Sequence, residues 1–334
     1  MYPETPTAVG ESNDYPSLKI MNRKQLAERP MKKWLIDQWL PEGSLACMYG
    51  PPSSGKTFMA LDMGMSIQNN LMWHGHEVMP GKVVFMAGEG VDGLKSRIAA
   101  WEIAHGFSSL DAEFHVTGDV VNLLHHHTSD RLLSSFKESG EPGLVIFDTL
   151  NRYMVGGNEN EASSMSDVFR TLREIIDETG TSILLIHHTG KDGRTERGSN
   201  SLRATCDVML AVKKKLVLKV DKQRDAAVTS PIHFEMEEHG DSLVPVSTGQ
   251  QSTPNISHGQ LNILNQLKSS VLTNGMTNKE LRDNYPMGER QYYRDRKTLD
   301  KKQFIVERGS FSPQRWVLTK ESVAFLNAIK DKSG

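Results

Sequence analysis

Cysteine is almost missing: Cys47 and Cys206 are the two in 334 residues, far apart in the chain. That excludes a disulfide framework and a Cys-ligated structural zinc, and a reducing, cytoplasmic setting is expected. Long apolar runs are missing as well, so no segment reads as a membrane span. The opening MYPETPTAVGESNDYPS lacks a basic region leading into an apolar stretch. It reads as part of a flexible segment over 1–29 without a secretory signal. There is no internal repeat, and low complexity is confined to a Ser, Thr, Gln and Pro-rich stretch near 246–258 and the run His125-His126-His127. Consecutive histidines project in different directions with no acid or Cys cluster at ligand spacing, so they read as exposed rather than metal-binding. Net charge is only −2, but unevenly spread: residues 256–334 carry 14 Lys and Arg against 8 Asp and Glu, leaving −8 on 1–255.

Four short apolar runs stand out: SLACMYG (44–50), KVVFMAGE (82–89), GLVIFDT (143–149) and SILLIHH (182–188). Near-continuous apolar strands separated by helix-length connections indicate a parallel α/β sheet buried on both faces. Residues 208–224 and 232–238 add antiparallel strands. The reading is an α/β domain over 30–245, a linker over 246–258, and a second domain over 259–334. In that second domain three helices precede two short strands, the order of a winged helix-turn-helix.

The first strand runs into Gly50-Pro51-Pro52-Ser53-Ser54-Gly55-Lys56-Thr57, which fits G-x-x-x-x-G-K-[ST] between a strand and a helix. Backbone N–H groups of such a loop form an anion nest at a helix N-terminus. Gly50, Ser53, Ser54, Gly55, Lys56 and Thr57 are therefore the expected triphosphate-binding set, with Lys56 on the β/γ-phosphates and the Thr57 hydroxyl on Mg²⁺. Asp148 closes LVIFD and is the expected carboxylate partner of that metal. Thr149 follows it where many P-loop ATPases carry Glu, so the base must come from elsewhere. Glu89, at the end of the second strand, is the candidate for orienting water. Its plainer reading is an acid ahead of a helix N-terminus. His187 and His188 end the fourth strand; His188 is nearer the edge and is the candidate γ-phosphate sensor, with simple exposure as the alternative.

A phosphate loop, a Glu one strand later, an Asp ending the third strand and a His pair ending the fourth together resemble the RecA-like ATPases. The stretch MKKWLIDQWLPEGSLACMYGPPSSGKT resembles the plasmid RepA-type hexameric helicases and their phage relatives, and the resemblance covers about residues 30–240. It implies a RecA-like P-loop NTPase core, ATP and Mg²⁺ as cofactors, and a homohexameric ring whose sites are completed by neighbouring subunits. Lys222-Gln223-Arg224 is similar to the Lys-x-Arg inserted in trans, making Arg224 the implied arginine finger with Lys222 beside it. Arg203 is the rival, and solvated hairpin charges are the alternative. The loops 151–165 and 190–201 would line a channel for single-stranded DNA, with Lys191, Arg194 and Arg197 gripping the backbone. In the C-terminal domain Arg290, Arg294 and Lys297 share a helix face beside Tyr292 and Tyr293, suited to duplex DNA or to a replication protein, with Asp295 and Asp300 as counter-evidence. The expected function is a replicative DNA helicase. A recombinase-like or loader ATPase that does not unwind, and an ATP-switched DNA-binding regulator, remain as alternatives.

Overall fold

A computed structural model describes residues 20–28, 33–107, 114–189, 201–224, 226–248, 256–270, 275–308, 315–319, 322–323 and 326. The chain divides into two units, Met1–Lys32 and Lys33–Gly334. In the first, α1 (Arg23–Ala27) is opened by a capping box in which Asn22 and Gln25 exchange side-chain and backbone hydrogen bonds. This short helix lies inside the stretch expected to be flexible.

The second unit opens with a hairpin of β1 (Trp34–Ile36) and β2 (Leu40–Pro41), then β3 (Leu45–Gly50) and α2 (Lys56–Gln68). There follow β4 (Val83–Ala87), α3 (Asp92–His105), β5 (His115–Thr117), α4 (Thr128–Ser139), β6 (Leu144–Asp148), α5 (Ala162–Thr179), β7 (Ser182–His188) and α6 (Ser201–Thr205). Four more strands, β8 (Val208–Lys213), β9 (Val217–Gln223), β10 (Ile232–His239) and β11 (Ser242–Thr248), complete a nine-stranded sheet ordered β11-β10-β9-β8-β3-β7-β6-β4-β5. The stretch from β8 to β5 is parallel, and β9 to β11 extend it antiparallel. This is an α/β fold whose large, mostly parallel sheet fits a RecA-like core.

Every residue of β3, β4 and β6 is buried, which explains their unbroken apolar sequence. Alternate strand residues feed two cores. Met48, Phe85, Ile146 and Leu184 pack with α2 and α3 on one face, while Cys47, Met86, Phe147 and Leu185 pack with α4 and α5 on the other. Helix α5 is amphipathic, burying Met165, Val168, Phe169, Leu172, Ile175 and Ile176 at helical spacing. Helix α2 is buried almost all round, including the methionines Met59, Met63 and Met65. Strand β11 runs three residues into the stretch whose composition reads as linker, because an edge strand tolerates Pro245 and Ser/Thr-rich sequence.

Beyond it lie α7 (His258–Ser269), β12 (Met276–Thr277), α8 (Asn278–Asp283), α9 (Glu289–Lys301), β13 (Ile305–Arg308) and β14 (Arg315–Leu318), the strands forming a small antiparallel sheet ordered β12-β14-β13. Their own core includes Ile263, Leu264, Leu281, Tyr292, Leu299 and Trp316, and it takes in Met72 from the α2–β4 connection. A backbone bond from Met72 N–H to the Ile256 carbonyl (3.3 Å) fastens the same connection to the start of this part. No helix among the described residues is long and apolar enough to cross a membrane.

Candidate functional site

Strand register assembles the site. Gly50 pairs with His188 across β3 and β7, Asp148 with Ile186 across β6 and β7, and Ala87 with Asp148 across β4 and β6. The C-terminal ends of these strands therefore lie at one sheet edge, where α/β sheets bind ligands. The phosphate loop turns there from β3 into α2, with Gly55 at the N-cap in a left-handed conformation (φ 87°). A Cβ on Gly50 would lie 2.6 Å from the Val212 carbonyl oxygen, and one on Gly55 would meet Leu216 at 2.9 Å, so both positions require glycine.

Around this loop the expected groups converge. Ser53, Ser54, Gly55, Lys56, Thr57, Glu89, Asp148 and His188 all line one cavity of about 550 Å³. The Lys56 ammonium donates to the Gly50 (3.0 Å) and Pro51 (2.8 Å) carbonyls and lies 3.5 Å from His188 Nδ1. Burial lowers its pKa, against the pull of Asp148 and Glu89. Thr57 Oγ1 donates to Asp148 Oδ2 at 2.7 Å. Thr149 Oγ1 donates to Glu89 Oε1 at 2.9 Å, and His188 Nε2 stands 3.9 Å from the same oxygen. Thr149, the residue after Asp148, thus holds the candidate base Glu89 instead of replacing it. His187 points the other way and is buried, with Nε2 4.0 Å from Glu159.

Asp148 supplies the test of metal fit. Its Oδ1 is buried without a hydrogen-bond partner, and burial pushes its carboxyl pKa up to about 6. A desolvated carboxylate beside a threonine hydroxyl is a hard-oxygen set suited to Mg²⁺, and a cation there would restore the charged form. Thr57 and Asp148 fit the ion.

Sequence reasoning missed Arg97, a helix α3 residue on the wall of this cavity. Its guanidinium lies 4.6 Å above the Phe58 ring and favours the charged form of Asp148. No local motif marks it; tertiary approach of α3 to α2 brings it in. Leu216, Met236 and Leu243, from the antiparallel part of the sheet, are equally unmarked in the sequence and line the same cavity.

Lys222 and Arg224 are not among the residues lining this cavity. The Arg224 guanidinium donates to Asp207 Oδ1 at 2.6 Å, and the Lys222 ammonium to the carbonyls of Arg203 (2.6 Å) and Cys206 (2.8 Å). Arg203 itself pairs with Asp221 at 2.7 Å. Lys191, Arg194 and Arg197 lie outside the described residues. On α9, Arg290, Arg294 and Lys297 are exposed. Asp295 is buried and accepts from Ser257 Oγ (3.1 Å), Gln260 Nε2 (3.0 Å), Gln291 Nε2 (3.1 Å) and the Tyr285 hydroxyl. It is therefore no surface charge opposing the basic face.

A sheet of this strand order carrying a phosphate loop, with Asp148 beside Thr57 and Glu89 held by Thr149, fits a RecA-like P-loop ATPase. Over residues 14–194 the sequence matches the AAA domain family, and the chain belongs to that family. A KaiC-like protein from the hyperthermophilic archaeon Pyrococcus horikoshii OT3 aligns with 63% of this chain and 93% of its own, at 14% identity and a TM-score of 0.42. The comparison with curated proteins gave no match.

Proposed function

We propose that the chain is an ATP-driven DNA motor, a homohexameric replicative helicase of the RepA type that moves on single-stranded DNA. The observation that carries the reading is the gathering of Lys56, Thr57, Glu89, Asp148 and His188 at one cavity while Arg224 stays away from it on the same chain. Among the described residues Arg97 is the arginine on the wall of this cavity, and the finger that meets the transferred group is assigned to a neighbour's Arg224. The helix and strand order after residue 256 supports a winged helix, and the exposed Arg290, Arg294 and Lys297 give it a basic face for duplex DNA or a replication protein.

Bound Mg·ATP supplies the phosphoanhydride, with the metal held by Thr57 and Asp148. Glu89, oriented by Thr149, is placed to take a proton from the attacking water. Lys56 exchanges its carbonyl partners for phosphate oxygens, and His188 lies where loss of the γ-phosphoryl group is felt. A neighbour's Arg224, released from Asp207, would stabilise charge on the transferred group with Lys222 beside it. Residues 162–165 belong to α5 and Ser201 to α6, so the expected channel segments shorten to 154–161 and 190–200; turnover would then move these, the latter carrying Lys191, Arg194 and Arg197, along the strand.

The test pairs hydrolysis with strand displacement. The expected result is Mg²⁺-dependent ATP hydrolysis raised by single-stranded DNA, displacement of one strand of a tailed duplex, and loss of both in Lys56→Ala. Hydrolysis indifferent to DNA, with no displacement, contradicts the reading. The exposed basic face of α9 also favours a second reading, an ATP-switched DNA-binding regulator, which preferential and sequence-specific duplex binding would support.

A further inference from the structure

Consecutive residues at the ends of β3 and β7 face opposite sides of the sheet. Gly50 and His188 form one register pair at the nucleotide cavity, where His188 Nδ1 lies 3.5 Å from the Lys56 ammonium and Nε2 lies 3.9 Å from Glu89. The register pair just before it, Tyr49 and His187, is buried, and neither residue lines that cavity. A bond from the Thr189 N–H to the Gly50 carbonyl (3.2 Å) continues the ladder, so the two strand ends are held together.

Both buried side chains are tied to segments outside the cavity. His187 Nε2 lies 4.0 Å from Glu159 Oε2, and Glu159 is the only residue of 155–161 that is not exposed. That segment is braced on itself: Asn158 Oδ1 accepts from the Asn160 N–H (3.0 Å), Asn158 Nδ2 donates to Glu161 (3.1 Å), and the Gly157 N–H donates to the Met154 carbonyl (3.0 Å). Glu159 carries its contact to β7. The Tyr49 hydroxyl donates to Asp221 Oδ2 (2.8 Å), and the same oxygen takes Arg203 of α6 (2.7 Å), which donates again to the Asp221 carbonyl at 3.3 Å. Helix α6 starts at Ser201, directly after residues 190–200. Partners in one register pair therefore lead to the two expected channel segments, Glu159 lying within 154–161 and α6 following 190–200.

We infer that Glu159 and Asp221 are positioning residues, which through His187 and Tyr49 set the pose of 154–161 and of α6 according to whether a γ-phosphate is present beside His188. The inference rests on the nucleotide-site reading above and adds the route by which that site governs the two segments. A γ-phosphoryl group places negative charge against Lys56 and His188, and its loss withdraws that charge. Close-packed interiors pass small displacements on instead of absorbing them. A shift at Gly50 and His188 thus carries Tyr49 and His187, one residue away, with it, and the paired side chains carry it further.

Hydrogen exchange of the full chain with saturating Mg·ADP, and with saturating Mg·ADP plus beryllium fluoride to occupy the γ-phosphate position, tests this. In the unaltered chain, exchange in 154–161 and in 201–205 is expected to differ between the two complexes by about fivefold or more. Glu159→Ala is expected to abolish the difference in 154–161 and keep it in 201–205. Tyr49→Phe, which removes only the hydroxyl, is expected to do the reverse, and both variants should bind Mg·ADP within about twofold of the unaltered chain. A merely structural role would speed exchange equally in both complexes and leave the difference in place, which overturns the inference. So does an unaltered chain that binds both ligands with no difference in either segment. Should either variant lose Mg·ADP binding, its fold is damaged, and Glu159→Gln or Asp221→Asn, which keep the shape and remove the charge, decide on the same readout. If the unaltered chain binds neither ligand, the nucleotide-site reading falls and the inference with it; if both bind and the variants keep the difference, the inference alone falls.

Discussion

Asp148 sits where its charge is poorly solvated: one carboxylate oxygen takes the Thr57 hydroxyl and the other has no donor. Its pKa in the fold, about 6, is above the ordinary 3.8. A raised carboxyl favours the fold while protonated, so that stabilisation is complete below about pH 3.8 and is lost as pH rises through about 6. At neutral pH the ionised group therefore costs the ligand-free protein about 3 kcal/mol. Asp148→Asn is expected to raise the ligand-free melting temperature at pH 7.5, to lose that advantage at pH 4, and to lose Mg²⁺-dependent turnover. Thermal melts at the two pH values check it, and an Asn variant less stable than wild type at pH 7.5 contradicts it. Lys56 is desolvated beside the same carboxylate, so both groups are held in a form that a bound metal and phosphate would relieve.

At the scale of elements, legibility followed locality. Strands β3, β4, β6 and β7 could be read because burial on both faces leaves an unbroken apolar run, and the loop from Gly50 to Thr57 because its chemistry is contiguous. Strand β5 was not legible, since a three-residue, half-buried edge strand has no such run. Nor was β11, whose Pro245 sits opposite Met236 on the sheet's other edge. Arg97, the hold of Thr149 on Glu89, and the wall of Leu216, Met236 and Leu243 arise from tertiary approach and leave no local trace. Asp295 makes the same point in reverse: by spacing it looks like a charge opposing the basic face of α9, yet it is the acceptor that ties α9 to the start of α7 and to Tyr285. Asp295→Ala would leave those buried donors unpaired, at a cost of about 3 kcal/mol. Hydrogen exchange should then speed up through α7 and α9 while Mg·ADP binding is retained; unchanged protection would show that the network contributes little.

For the whole molecule, the phosphate-loop helix is linked to the C-terminal part by a short physical path. Asp62 on α2 accepts from the indoles of Trp73 and Trp101 (both 2.8 Å) and pairs with His74. Met72, next to Trp73, is embedded in the C-terminal core. The basic face of α9 proposed for nucleic acid is thus carried on the same framework that holds the phosphate loop. The other half of the account concerns copies of the chain. Arg224 and Arg173 share the buried Asp207, so the proposed finger has a parking place in its own subunit and must exchange it for phosphate in the next. Lys56→Ala and Arg224→Ala should each reduce ATP turnover by about three orders of magnitude, with nucleotide still bound by the Arg224 variant. The most direct measurement mixes the two inactive proteins and follows phosphate release. The account predicts that activity returns, because some interfaces then pair an intact loop with an intact arginine. Mixtures as inactive as their components, or an Arg224→Ala protein that hydrolyses ATP at the unaltered rate, would contradict it.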